Sequence, residues 1–139
     1  MKKTLLASAL IALSAVAAHA QDTVRIATEG LYPPYNLIDD AGNLAGYEVD
    51  LGNEICKRAG LTCEFVQNDW DSMMPNLNSG NFDVIMAGMS ITEERKKDRL
   101  FSQNYMPPAV SFYVAASADA DIKTGVVAAQ TGTIQAGHV

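Results

Sequence analysis

The sequence predicts an α/β domain, a mostly parallel sheet flanked by helices, and three observations lead there. "TVRIAT" (23–28) alternates polar and apolar residues and is rich in β-branched side chains. "FDVIMAGM" (82–89) is a continuous apolar run, as in a parallel strand covered on both faces. Between them, apolar residues recur at helical spacing, so the order reads β-α-β-α-β.

Each element follows from local chemistry. After the first strand, Pro33-Pro34 interrupts regular structure, and Asp39–Gly42 reads as a hairpin tip. In "EVDLGNEICKRAG", Val49, Ile55 and Ala59, flanked by Leu51 and Cys56, form an apolar helical stripe. Lys57 and Arg58 fall in its last turn and Gly60 stops it. "LTCEFVQ" (61–67) is the next strand. A short helix then opens at Asp71 or Ser72, turns Met74 and Leu77 inward, tolerates Pro75 near its first turn and ends at Gly80. "ITEERKKDRL" (91–100) reads as a charged helix with Thr92 as N-cap and Glu93-Glu94 in its first turn. "AVSFYVAAS" (109–117) reads as a strand and "ADADIKTG" (118–125) as a polar connector. "VVAAQTGTIQAGHV" (126–139) begins another strand-turn-helix.

The N-terminus has Lys2 and Lys3, a small-apolar run from Thr4 to Ala18, and Ala18-His19-Ala20 before Gln21. This pattern marks residues 1–20 as a cleaved secretory signal peptide. As a membrane anchor the run is too short for a bilayer core of about 30 Å. The formal charge is −6; removing Lys2 and Lys3 gives −6 − 2 = −8. So acidic a mature chain argues against nucleic acid or anionic lipid as partner. Cys56 and Cys63 in an exported chain are expected to pair, with two small buried thiols as the alternative. The bridge would close a short loop and stabilise by about 2–3 kcal/mol at most.

A parallel sheet binds ligands beyond the carboxyl ends of its strands. Those ends are Thr28-Glu29, Gln67–Trp70 and Ala87–Ser90, which should converge on one crevice. Arg95, at the third position of the helix capped by Thr92, could hold a carboxylate through two parallel hydrogen bonds. Ser90 and the backbone N–H groups of Gly88–Ser90 would add donors. The plain alternative pairs Arg95 with Glu93, Glu94 or Asp98. Trp70 could stack on a ligand or pack at the rim. Tyr32 and Tyr35, around the two prolines, suit a ligand wall or a self-packed turn. Glu29 could meet a cationic group or face solvent. Thr133, in the "GTIQ" turn, opens an anion-friendly helix start. No catalytic set, phosphate loop, metal site or cofactor motif emerges.

The stretches "RIATEGLYPPYN", "GNLAGYEVDLGNEICKRAGLTCEFV", "NDWDSMMPNL", "FDVIMAGMSITEERKK", "LFSQNY" and "AAQTGTIQA" resemble the periplasmic solute-binding proteins of polar amino-acid ABC importers. The resemblance is strongest to the lysine/arginine/ornithine-, histidine- and opine-binding branch. It implies a two-lobed hinge protein of the periplasm, monomeric, that captures an amino acid or opine and passes it to a membrane permease. Residues 21–116 would be the first lobe, 117–125 a connector, and 126–139 the start of a second lobe. It also implies a Cys56–Cys63 disulfide. Arg95 would clamp the α-carboxylate with Ser90 and the backbone of Ala87, Gly88 and Met89. Tyr32 and Trp70 would sandwich the side chain, Glu29 would meet a distal cation, and Thr133 and Gln135 would touch the ligand on closure. Ala87-Gly88 replaces two serines of the lysine/arginine/ornithine and histidine binders, and Trp70 with Glu29 leans toward opine-like relatives. Family members are about twice as long, so the 139-residue chain is expected to be a truncated form that binds weakly or not at all. The competing function is a cyclohexadienyl-dehydratase-like enzyme on the same scaffold, with Glu29 as its general acid.

Overall fold

A computed structural model describes residues 23–107 and 110–139; the signal-peptide expectation lies outside the described residues. Strand β1 (Val24–Thr28) is central. It pairs in parallel with β5 (Cys63–Gln67) from Val24↔Cys63 to Thr28↔Gln67, and with β6 (Val84–Ile85) at Ile26↔Val84 and Ala27↔Ile85. Between β1 and the first helix lies a small antiparallel sheet of β2 (Leu31–Tyr32), β3 (Asn36–Ile38) and β4 (Leu44–Ala45). The loop expected to be irregular around Pro33-Pro34 is therefore bracketed by short strands. The Asp39–Gly42 tip is as expected: Asp39 O accepts from Gly42 N at 2.9 Å, and the glycine supplies the positive φ.

Helix α1 (Tyr47–Ala59) ends at Gly60 in the left-handed conformation. Its start has no side-chain cap. Instead, Tyr47 N and Glu48 N donate to the carbonyls of Pro34 and Tyr35, at 3.1 and 2.8 Å. Gly46 permits this approach, because a Cβ there would lie 2.6 Å from Tyr35 O. The tyrosine loop is thus seated on a helix terminus.

The sheet buries both faces. Ile26 packs with Cys56 and Met86 on the α1 side, while Ala27 packs with Met73, Phe82 and Ala87 on the other. The buried stripe of α1 is Glu48, Val49, Gly52 and Cys56. Ile55 is 51% exposed and Ala59 is exposed, contrary to expectation; Ile55 sits about 100° round the helix from Cys56. A 3-10 turn (Trp70–Ser72) leads into α2 (Met73–Asn78). Met73, fully buried, rather than Met74 carries the inward contact, with Leu77 against the same cluster. The Cys56–Cys63 disulfide joins α1 to β5.

Four expected elements are shorter or absent among the described residues. Strand β6 covers two residues of the 82–89 run, because Gly88 turns the chain at φ +61°. Helix α3 is only Glu93–Lys96, since its i,i+3 ion pairs stabilise little and it has no apolar stripe to bury. Residues 110–117 and 126–139 form neither strand nor helix, with Phe112 83% and Val114 96% exposed. Ala109 lies outside the described residues. β-Propensity without a neighbouring strand to pair with makes no sheet.

The amino end of the sheet is pinned by Arg25. It meets Asp83 Oδ1 at 3.0 Å and Oδ2 at 3.2 Å, and donates to Asn81 O and Gly80 O. This guanidinium holds the Asp83 carboxyl below its ordinary value. Asp83 therefore contributes stability that is present above the unfolded pKa, about 3.9, and lost as pH falls through the lower folded value. We expect Asp83→Asn to flatten this acid limb of a pH–stability curve measured by urea unfolding; an unchanged curve below pH 4 would contradict the pairing. Gly52→Ala should destabilise. Its Cβ would sit 2.5 Å from Phe65 Cζ and 3.2 Å from Met86 Sδ. Overpacking of about 1–3 kcal/mol outweighs a helix gain of about 1 kcal/mol. A raised denaturation midpoint would refute this.

Candidate functional site

The three carboxyl ends meet as expected. Asn68 N donates to Thr28 O at 2.9 Å and Gln67 Nε2 to Glu29 O at 3.3 Å, which joins the turns after β1 and β5. Asn68 also bonds Asp69 O, Ser72 Oγ and Asn76, which fixes the loop carrying Trp70 onto α2. After β6, the chain turns at Gly88, beside the Tyr32 ring: a Cβ on Gly88 would lie 3.1 Å from Tyr32 Cε1. Tyr32 stacks at 5.0 Å, tilted, on Tyr35, and Tyr35 meets Tyr47 edge-on. Tyr32 and Trp70 make separate contacts.

Arg95 is the centre of the set. Thr92 Oγ1 accepts from Arg95 N at 3.2 Å, so the expected N-cap is present and presets the side chain's origin. The guanidinium lies 5.9 Å from the Trp70 ring centroid. It donates to Ser90 O at 2.8 Å and Gly132 O at 2.9 Å. The neighbouring acids are taken elsewhere: Glu93 by Lys96, Glu94 by Lys97 and Asp98 by Arg99. Among the described residues Arg95 thus has no carboxylate partner, and the plain alternative does not hold. Partial burial draws its pKa down, yet an arginine stays charged. A half-buried cation that bonds only carbonyls, next to an aromatic face, is a ready receptor for an anion.

Other expected residues divide. Ala87 turns its side chain into the core, and Met89, partly buried, packs against the same cluster. The Gly88 N–H is not free, for it donates to Glu48 Oε1 at 2.7 Å. Ser90 is exposed. Thr133 spends its hydroxyl within its own turn, donating to Gln130 O and accepting from Ala136 N. Gln135 donates to Ser111 Oγ. Two residues not foreseen reach the set instead. Gln130 Nε2 donates to Glu29 Oε1 at 2.8 Å, and Gly132 lies against Trp70 while its carbonyl takes Arg95. Glu48, Asn36 and Tyr105 were also missed. In sequence, a glutamate in a helix's first turn reads as a solvated N-terminal charge. An open hollow lined by Ile91, Lys96 and residues 99–104 includes none of these groups.

The carboxyl edge of this parallel sheet gathers an arginine without a carboxylate partner among the described residues, an aromatic face and a carboxylate, and it is at such edges that α/β sheets bind small molecules. The chain belongs to the bacterial extracellular solute-binding proteins, family 3, whose model matches residues 24–134. It is 40% identical to the arginine-binding periplasmic protein of Mannheimia haemolytica, over 96% of this chain and 54% of that protein. Among solved structures, it resembles a periplasmic His/Glu/Gln/Arg/opine family-binding protein from Silicibacter pomeroyi in complex with lysine. The identity is 65% and the TM-score 0.78, covering 84% of this chain and 53% of that one. It also resembles the arginine-bound form of domain 1 from TmArgBP: 39% identity, TM-score 0.51, 54% of this chain and 60% of that one. The chain spans about half the length of the curated relatives it matches.

Trp70 is the sole tryptophan, so its emission reports this contact. We expect Arg95→Ala to shift the emission maximum to longer wavelength as the ring loses its cover. An identical spectrum would mean the stack is absent in solution.

Proposed function

We propose that this chain binds a cationic amino acid or opine outside the cytoplasm, for delivery to an ABC importer permease, and that it binds its ligand without converting it. The observation that carries this is Arg95, which bonds carbonyls and no carboxylate among the described residues while the acids beside it pair with other cations. Glu29 supplies the opposite charge. The segment Gln130–Gly132 reaches both, placing an amide donor on Glu29 and a carbonyl acceptor on Arg95. A ligand with a carboxylate at one end and a cation at the other, extended over about two residues' reach, matches that polarity and span. The lysine and arginine in the related complexes have this form.

Trp70 and Tyr32 offer apolar faces for the connecting methylenes, and Ser90 offers a further donor. Thr133 and Gln135 are proposed to act in the closed form of a complete protein, with residues 21–116 as its first lobe and 126–139 opening its second. The arginine-bound domain 1 is a single lobe that holds its ligand. By analogy, the 139-residue chain itself is proposed to bind, detectably though weakly. For a dehydratase, Glu29 would have to serve as general acid, and no observation among the described residues favours elimination.

Thermal shift with L-arginine, L-lysine, octopine, L-glutamine and prephenate tests the class. Cationic ligands and octopine should raise the melting temperature by mass action; a shift with prephenate alone would move the case to an enzyme. In calorimetry, Arg95→Ala should weaken arginine and glutamine alike, on the order of 100-fold, because the ligand carboxylate loses its partner. Glu29→Gln should weaken arginine and lysine but spare glutamine. Equal losses for all three would remove Glu29 from the specificity site.

A further inference from the structure

The most buried charge in the described chain is one the sequence hid. Glu48, in the first turn of α1, is fully buried and has no cationic partner among the described residues. Its carboxylate instead gathers neutral donors from three other segments. Oε1 accepts from Gly88 N at 2.7 Å and from the Tyr105 hydroxyl; Oε2 accepts from Asn36 Nδ2 at 2.6 Å. Asn36, also fully buried, passes the link on, its Oδ1 accepting from Gly30 N at 2.8 Å. Burial and the Glu48 contact both push the Tyr105 hydroxyl pKa up, so it remains a donor.

The two ends of this chain of bonds fall where a ligand would be held. Gly30 follows Glu29 and precedes Tyr32 by two residues. Gly88 lies against the Tyr32 ring and precedes Ser90 by two. An apolar side chain here would leave the Gly88, Tyr105 and Asn36 donors without an acceptor, so one carboxylate sets where all three must sit. We propose that Glu48 is a positioning residue: its carboxylate ties the turn after β1 to the turn after β6 and fixes the spacing of the two walls that hold the ligand. This rests on the binding function proposed above, but its structural half can be tested without any ligand.

The polarity of the network makes a specific test possible. In Glu48→Gln, the new amide can accept from Gly88 N and Tyr105, but its NH2 then faces the NH2 of Asn36. Turning Asn36 over would only move the clash to Gly30 N. Adding Asn36→Asp restores an acceptor for both the glutamine and Gly30. The experiment compares the unsubstituted chain, Glu48→Gln, and Asn36→Asp/Glu48→Gln, each below its own melting transition. Amide shifts and hydrogen exchange at Gly30 and Gly88 are followed by NMR, and L-arginine affinity by calorimetry.

We expect Glu48→Gln to move both glycine amides and to lose about tenfold in affinity or more, and the double variant to recover both. A purely structural Glu48 would lower the melting midpoint and leave the affinity of the folded protein unchanged, which would overturn the proposal. So would a double variant no better than the single one. If no ligand binds the unsubstituted chain, the binding function fails, while the amide shifts still decide whether Glu48 holds the two turns. If Glu48→Gln does not fold, exchange in the unsubstituted chain decides: Gly30 and Gly88 must be protected together, and exchange at Gly88 as fast as at exposed Ser90 would refute the link.

Discussion

Strand β1 is paired along its full length with β5 and at its centre with β6, and both pairings are parallel. Parallel pairing forces every strand to end on the same side. That single constraint brings Glu29, the Trp70 loop and the Ala87–Ser90 turn to one edge, although they lie far apart in sequence. It also decides which side chains are spent on the core. Met86 and Ala87 face opposite sides at the end of β6, and a one-residue slip would exchange them and carry Gly88 away from Tyr32 and Glu48.

The two ends of the sheet treat an arginine in opposite ways. At the amino end, Arg25 is saturated: a carboxylate takes it by two oxygens and two carbonyls take the rest. It serves as a clasp, closing β1 against the start of β6. At the carboxyl end, Arg95 is given carbonyls only, and the acids around it are withdrawn by Lys96, Lys97 and Arg99. The acids at Glu93, Glu94 and Asp98 thus each meet another cation, and among the described residues none of them reaches Arg95.

Much of this architecture was legible. The strand at 23–28, the hairpin tip at Asp39–Gly42, the stop at Gly60 and the Thr92 cap are local signals, set by turn chemistry and periodicity, and the structure has them. The convergence of the strand ends followed from topology. What misled was propensity without a partner: 110–117 and 126–139 have strand-like composition, but among the described residues no neighbouring strand receives them. Glu48 and Asn36 were hidden for another reason. A polar residue reads as surface until the fold shows which donors meet it, and those donors, Gly88 and Tyr105, lie 40 and 57 residues away. Thr133 and Gln135 bond within 111–136, while Gln130 and Gly132, which the sequence did not single out, bond Glu29 and Arg95 here.

That last contact has a consequence for selectivity. On the proposed binding function, a ligand entering the crevice would meet charges already engaged by the Gln130 amide and the Gly132 carbonyl, and would displace both. Each hydrogen bond it forms replaces one that existed, so the count is unchanged and only the difference in strength remains. A carboxylate on Arg95 and an ammonium or guanidinium on Glu29 would add a full opposite charge to each bond, whereas the resident carbonyl and amide bring only a dipole. A neutral molecule of the same shape gains almost nothing over the resident segment. The Gln130 side chain and the Gly132 carbonyl would thus act as a reference competitor, and would filter ligands by charge before shape is compared.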